Sequence, residues 1–261
     1  MINYADKHHI YFNNDNIIYD SPTKILKKYK KRFDAKTASI AYAKKFGKTP
    51  SYWREQWKQK SSAALDRGHK IHSEREEGSF GRGIERVDSG IKPVLNGYLH
   101  YKGSLSDLPD GIYPEFPVWN DGWMIAGRPD KFVIETIGDD RFVDIIDYKT
   151  NGKIDKISWQ DYNGNYQHLL APVQHLMDSK WVEYALQLSM YQYILETHGF
   201  KPRNRQLIHI PHPIELAGVV LEQPKDVIYP LPYLKDEVLA ILNDHNKKRK
   251  TARYEPNQVT K

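Results

Sequence analysis

Two acids and a lysine stand where strands rarely tolerate them. In GRPDKFVIETIGDDRFVDIIDYKT, residues 127–150, Asp130 opens one strand-like run, Asp147 lies near the end of the next, and Lys149 follows two residues on. Side chains two apart on a strand share a face, so Asp147 and Lys149 point the same way as Val143 and Ile145. A meander of the two runs brings Asp130 beside them. Two converging carboxylates make a hard oxygen pocket suited to Mg²⁺ or Mn²⁺. An adjacent ammonium would neutralise phosphate charge and help position a water, which together is equipment for phosphodiester hydrolysis. Alone, a D-x-K tripeptide more often means a surface salt bridge of Lys149 with Asp147 or Asp144. The hydrolytic reading therefore needs independent residues that fit the same site.

The elements that must hold these groups can be read from periodicity. After a short extended lead-in, DSPTKILKKYKKRF starts a helix with Asp20 or Ser21 as cap and Pro22 in its first turn. Helical stretches follow at about 34–46 and 50–77, separated by the Gly/Pro loop FGKTPS. From about residue 112, IYPEFPVWN, WMIAGRPDKFVIET and RFVDIIDYKT read as an antiparallel meander. A polar connection over 151–180 leads to a strong helix, KWVEYALQLSMYQYILETHG, then to strands in RQLIHIPHPI and GVVLEQ and a closing helix. The order predicts an α/β core with an N-terminal helical lobe, divided at 1–60 and 61–261.

Composition bounds the partners. The 261 residues suffice for a large core, mean hydropathy is −0.71, and no apolar run approaches a membrane span. No cysteine is present, which excludes disulfides and cysteine-ligated iron–sulfur clusters. With no apolar secretory segment at the N-terminus, a cytoplasmic protein of a bacterium or an infected host is expected. Net charge is +6, and between Lys24 and Lys60 thirteen Lys or Arg stand against two acids, Asp34 and Glu55. A second basic run is KKRKTAR, 247–253. Such patches favour a polyanion, although a solvated lysine-rich helix surface has the same charge. Tyr52, Trp53 and Trp57 fall at helical spacing among Arg54, Lys58 and Lys60. Packing is the commoner meaning of such aromatics, and base stacking beside cations is the sharper one.

Further motifs lie on either side of the hairpin. In order, RGHKIH (67–72), GRPD (127–130), DYK (147–149) and QLSMY (187–191) resemble the motif series of RecB-family nucleases in the PD-(D/E)xK superfamily. The opening SPTKIL with a helical lobe is also similar to the mitochondrial genome maintenance exonucleases and their phage and bacterial relatives. The resemblance covers roughly residues 20–200 and implies a restriction-endonuclease-like core, a central mixed sheet flanked by helices. It implies His72 as a metal ligand, with Asp130, Asp147 and the carbonyl of Tyr148, and Lys149 as catalytic lysine. Gln187 and Tyr191, four apart on one helix face, would border the site and hold a phosphate or the lysine. Glu115 resembles an acid that sometimes joins such sites, and Glu76 lies one turn beyond His72. His69 occupies a position usually filled by a small polar residue, and Arg128 would contact phosphate or pair with an acid. The connection from Lys149 to Gln187 is longer than in the family.

The expectation is a Mg²⁺- or Mn²⁺-dependent deoxyribonuclease, an exonuclease on single-stranded DNA or free ends, leaving 5′-phosphates. Trp53, Arg54, Trp57 and Lys58 would grip the strand. Because His72 must be neutral to ligate, activity should fall below about pH 6.5. An endonuclease would use the same site. A non-catalytic DNA-binding accessory protein would have lost an acid or the lysine, and all are present. An interaction module for an acidic protein partner would lack salt-dependent DNA binding. Oligomeric state and cleavage polarity do not follow from the sequence.

Overall fold

In the computed structural model, residues 2–5, 10–87, 90–95, 103–161, 163–216 and 219–254 are described. His8 and His9 of the lead-in lie outside them, as do the side chains of the basic run beyond Arg249. The elements run β1 (Ile2–Ala5), β2 (Ile10–Asn13), β3 (Ile18–Tyr19), α1 (Pro22–Leu26), α2 (Ala35–Phe46), α3 (Pro50–Arg82), β4 (Ile84–Val87) and β5 (Gly90–Pro93). There follow β6 (Gly111–Pro114), β7 (Val118–Asn120), β8 (Ile125–Gly127), β9 (Lys131–Ile137), β10 (Asp140–Lys149) and α4 (Lys180–Glu196). The chain closes with β11 (Lys201–His209), β12 (Ile214–Leu216), β13 (Val219–Glu222), β14 (Val227–Pro230) and α5 (Lys235–Tyr254).

The fold is mixed α/β, with a central five-stranded sheet in the order β14-β11-β10-β9-β6. Strands β6, β9 and β10 form the expected antiparallel meander, whereas β10 and β11 run parallel, joined through α4. A parallel neighbour needs such a crossover because a hairpin can only reverse direction. The sheet's inner face, with Phe132, Ile134, Val143, Ile145 and Leu207, packs on α4 and α5 through Ala185, Leu188, Ile194, Val238 and Ile241, all fully buried. Helix α4 is apolar around most of its circumference, as suits a helix covered on several sides.

Two predicted strands are each broken in two. IYPEFPVWN yields β6 and β7, and WMIAGRPDKFVIET yields β8 and β9, with β7 and β8 pairing apart from the main sheet. Pro117 and Pro129 sit at the breaks, where the missing N–H ends ladder pairing. Glu115, in the first break, has a left-handed backbone, φ 49°.

Helix α3 runs unbroken for 33 residues, through residue 60. Its N-terminus is capped by Thr49, whose hydroxyl accepts from Tyr52 N–H, with Pro50 in the first turn. It pairs with α2 through a small aromatic cluster. Tyr42 meets Trp53 and Trp57 edge-on at 5.4 and 5.2 Å, Phe33 meets Trp57 at 5.5 Å, and Trp53 donates its indole N–H to Gly47 O at 2.9 Å.

Near the N-terminus, α1 docks on α4 and β8. A β-carbon at Gly127 would lie 2.6 Å from the Tyr191 ring and 3.1 Å from Pro22, so only glycine lets these three elements close together. Among the described residues, no helix is long and apolar enough to cross a membrane.

Candidate active site

Three adjacent strands end at one edge of the sheet with an acid each. Register pairs Lys131 with Ile146 and with Pro114, so the next positions, Asp130, Asp147 and Glu115, fall side by side. Backbone contacts fix the row: Glu115 N–H donates to Asp130 O at 3.0 Å, and Tyr148 N–H donates to Asp130 Oδ2 at 2.6 Å. The edge includes the carboxyl end of β10, a common place for ligands in sheets with parallel strands.

Helix α3 brings His72 to the row. Its Nδ1 lies 3.2 Å from Asp130 Oδ1, and its ring stands edge-on to Tyr148 at 6.5 Å. Among the described residues, one group of metal-capable side chains converges: His72, Glu115 and Asp130, with ligand atoms all within 4.8 Å of one another. They line a small niche of about 10 Å³ together with Glu76, enough for one water-sized occupant. The niche opens on a cleft of about 1020 Å³, whose lining includes His69, His72, Glu76, Glu115, Arg128, Asn151 and Lys180.

Asp147 and Lys149 form an ion pair on the inner face of β10, with side chains 2% and 16% exposed. The salt bridge that a lone D-x-K suggests is therefore present but buried. Burying two charges costs several kcal/mol per ion, so a surface explanation of this pair does not apply. Asp144 is not the partner: it faces the other way and holds Arg203 at 2.6 and 2.8 Å. Across from Lys149, the Tyr184 ring of α4 lies 4.9 Å from Nζ, and Tyr184 donates its hydroxyl to Asn151 Oδ1 at 2.6 Å. Tyr191 is buried near these acids and hydrogen-bonded to Gln187.

The electrostatics follow from this crowding. Burial, then the neighbouring Asp130 charge, pushes the Glu115 carboxyl up to about 8, although Arg128 at 3.4 Å opposes the shift. Burial and Asp130 likewise raise Asp147 to about 6 despite Lys149. Burial also works against the Asp130 carboxylate, yet the His72 hydrogen bond and the Lys149 charge outweigh it and hold Asp130 below its ordinary value. For Lys149, burial lowers and the Asp147 and Asp130 charges raise, with the charges winning, so the ammonium stays protonated. His72 is raised: Asp130 outweighs the opposing burial. Neighbouring titratable groups pushed apart in this way are a mark of functional sites.

The candidates from sequence thus divide. His72, Glu115, Asp130, Asp147, Lys149, Gln187 and Tyr191 come together, and Arg128 joins through Glu115. Tyr148 supplies an N–H to Asp130, and its ring lies beneath Arg75 and Lys131 at 5.5 and 5.7 Å. His69 is exposed on the cleft wall. Trp53, Arg54, Trp57 and Lys58 lie elsewhere: Trp57 is fifteen residues from His72 on α3, roughly 22 Å at the rise of an α-helix. The Trp rings there pack in the α2–α3 pair, and Arg54 donates to Ser39 Oγ at 3.0 Å.

Arg67 and Tyr184 were missed. Arg67 ties α3 to the sheet by donating to Thr150 O at 2.8 Å and Pro211 O at 3.0 Å, just beyond the ends of β10 and β11. Tyr184 could have been found, since 184, 187 and 191 share one helical face. An Arg67→Ala variant should stay folded through the sheet core but release the middle of α3. Hydrogen bonds from a charged donor contribute about 1.5–3 kcal/mol each, and misplacing a reacting group by 1 Å can cost about 100-fold. Metal affinity, read by Mn²⁺ titration, should fall with little change in circular dichroism.

A search for matching family models finds none, and no curated protein matches the chain.

Proposed function

We propose that the chain is a Mg²⁺- or Mn²⁺-dependent deoxyribonuclease, an exonuclease acting on single-stranded DNA. The observation that carries this reading is the convergence of His72, Glu115 and Asp130 next to the buried Asp147–Lys149 pair. The donor set fits a divalent cation: one imidazole and hard carboxylate oxygens around a niche of about 10 Å³. The motif order RGHKIH, GRPD, DYK and QLSMY, resembling RecB-family nucleases of the PD-(D/E)xK superfamily, supports the same reading. So does the central mixed sheet, taken as a restriction-endonuclease-like core over 61–261 with the helices up to residue 60 as the N-terminal helical lobe.

His72, Glu115 and Asp130 would hold the metal, with the Asp147 carboxyl beside Asp130 adding negative charge next to it. A divalent cation there would lower the pKa of a bound water and offset phosphate charge. Lys149, permanently charged and fixed between Asp147 and Tyr184, positions the attacking water and stabilises negative charge developing on the phosphate oxygens. Arg128 steadies Glu115, and the Gln187–Tyr191 pair backs the site. The preference for strand ends comes from the resemblance, since the aromatic rings put forward for stacking pack against one another. Cleavage of single-stranded DNA that begins with Mn²⁺ and stops with EDTA tests the proposal.

Metal must displace protons here. Glu115 sits at about 8 and His72 above its ordinary value, so at pH 7 Glu115 is mostly protonated. Binding should release between about one and two protons per ion. Affinity should rise with pH toward 8 and drop about tenfold per displaced proton for each unit below it. Calorimetry of Mn²⁺ binding in two buffers of different ionisation enthalpy reads this directly. Activity should therefore fade at higher pH than an unperturbed histidine would dictate.

A further inference from the structure

A second cleft, of about 750 Å³, is lined by Lys27, Lys28, Lys30, Lys31, Arg32, Leu170 and Glu183. Its cations are held in place by the core. Tyr29, in the middle of the run, is 1% exposed, donates its hydroxyl to Ile241 O and Asp244 Oδ2, and accepts at its carbonyl from Leu170 N–H at 2.7 Å. With Ile25, Leu26 and Tyr29 turned inward, Lys27, Lys28, Lys31 and Arg32 face outward. Acids offset part of this charge: Lys28 lies 3.9 Å from Asp20 and Lys30 is paired with two carboxylates, whereas among the described residues Lys27, Lys31 and Arg32 make no ion pair within 4 Å. Glu183 already serves two ammonium groups, Lys30 at 2.8 Å and Lys180 at 2.9 Å, and Lys30 also reaches Asp178 at 3.2 Å.

The two clefts meet at α4. Lys149 Nζ and Lys180 Nζ lie 4.9 and 5.8 Å from the same Tyr184 ring, and Lys180 then meets Glu183 on the wall of the second cleft. A chain of paired charges therefore connects the two clefts, from Lys149 past Tyr184 to Lys180, Glu183 and Lys30 at the edge of the Lys27–Arg32 run.

We propose that the Lys27–Arg32 cleft binds the sugar-phosphate backbone of the same nucleic-acid strand whose scissile phosphate is held at His72, Glu115 and Asp130. This rests on the nuclease reading above, and it assigns the stretch of strand next to the cut to one side of α4. The exposed Lys27, Lys31 and Arg32, with Lys28 beside them, match a regularly charged backbone, and contacts to phosphate alone make the cleft indifferent to base sequence.

The test is binding of a labelled single-stranded oligonucleotide in EDTA, over a range of salt. Wild type is compared with Lys27→Gln/Lys31→Gln/Arg32→Gln and with a control of equal charge change at the C-terminal end of α2 and the loop after it, Lys44→Gln/Lys45→Gln/Lys48→Gln. Losing three phosphate contacts should lower the salt slope by about 2 and weaken binding on the order of 10- to 100-fold near 0.1 M salt. The control should retain most of the wild-type slope. Equal weakening by both triples would mean net charge rather than a track, and an unchanged slope in the first triple would place the strand elsewhere; either overturns the inference. Displacement of the oligonucleotide by polyglutamate at equal charge concentration would also overturn it, in favour of an acidic protein partner. Because EDTA prevents turnover, the outcome is independent of hydrolysis: a strand bound here but never cut with metal defeats the nuclease reading alone. A strand cut normally by a chain whose first triple keeps its salt slope defeats the track alone.

Discussion

Replacing Lys149 with alanine should reduce DNA hydrolysis by at least about 10²- to 10³-fold, the usual size of a lost charge-stabilising donor. Binding of DNA in EDTA should change far less. The ammonium is held beside the acid row, with Asp147 on one side and the Tyr184 ring on the other. A flexible surface lysine would have to be ordered in the transition state; this one already is. Its removal leaves Asp147 buried without its partner. The Asp147 carboxyl is already pushed up to about 6 by burial and Asp130, so losing Lys149 raises it further and it takes a proton near neutral pH. A carboxyl whose folded pKa is raised stabilises the fold below its unfolded value and loses that contribution as pH rises through the folded one. The variant should therefore lose more stability at pH 8 than at pH 6. Thermal melts at the two values check this, and a large activity loss at a pH and temperature where the melts show both proteins folded separates chemistry from unfolding.

Asp130→Asn should weaken Mn²⁺ binding by 100-fold or more, since it removes the charged member of the ligand group. Outer partners of metal ligands alone are worth about 10- to 100-fold. The amide keeps an oxygen for Tyr148 N–H, so the row of strand ends should persist. Two further consequences are specific to this geometry. Asp130 charge is the second cause, after burial, of the high Glu115 value and likewise for Asp147. Removing that charge favours the ionised form of both, so each should titrate lower in the variant. His72, raised by its contact with Asp130, should fall as well. Carboxyl and imidazole titrations by NMR read all three shifts without any turnover. Shifts in the opposite direction would show that the groups are not neighbours.

Much of this site was legible because strands carry a period of two. Val143, Ile145, Asp147 and Lys149 could be put on one face from spacing alone, and the burial of the first three follows that face. The neighbouring position of Asp130 followed from a meander with a polar turn. Glu115 was harder to read, because its place depends on a left-handed residue between Pro114 and Phe116. A glutamate in that conformation gives no local signal. Arg67 escaped for a different reason: it donates to carbonyls, and carbonyl partners leave no trace in residue type. The aromatics of α3 show the limit of composition, since stacking on a base and stacking on Tyr42 need the same rings at the same spacing. Strands β4, β5 and β14 were not anticipated. They are four residues each, too short for alternation to stand out.

The most direct measurement is degradation of 5′- and 3′-labelled single- and double-stranded DNA with Mg²⁺, Mn²⁺ or EDTA, for wild type and Lys149→Ala in parallel. The expected result is metal-dependent shortening of the single strand from an end, products bearing 5′-phosphate, and loss of that activity in the variant while DNA is still bound. DNA bound but left intact with every metal, or cleaved equally well by Lys149→Ala, would contradict it.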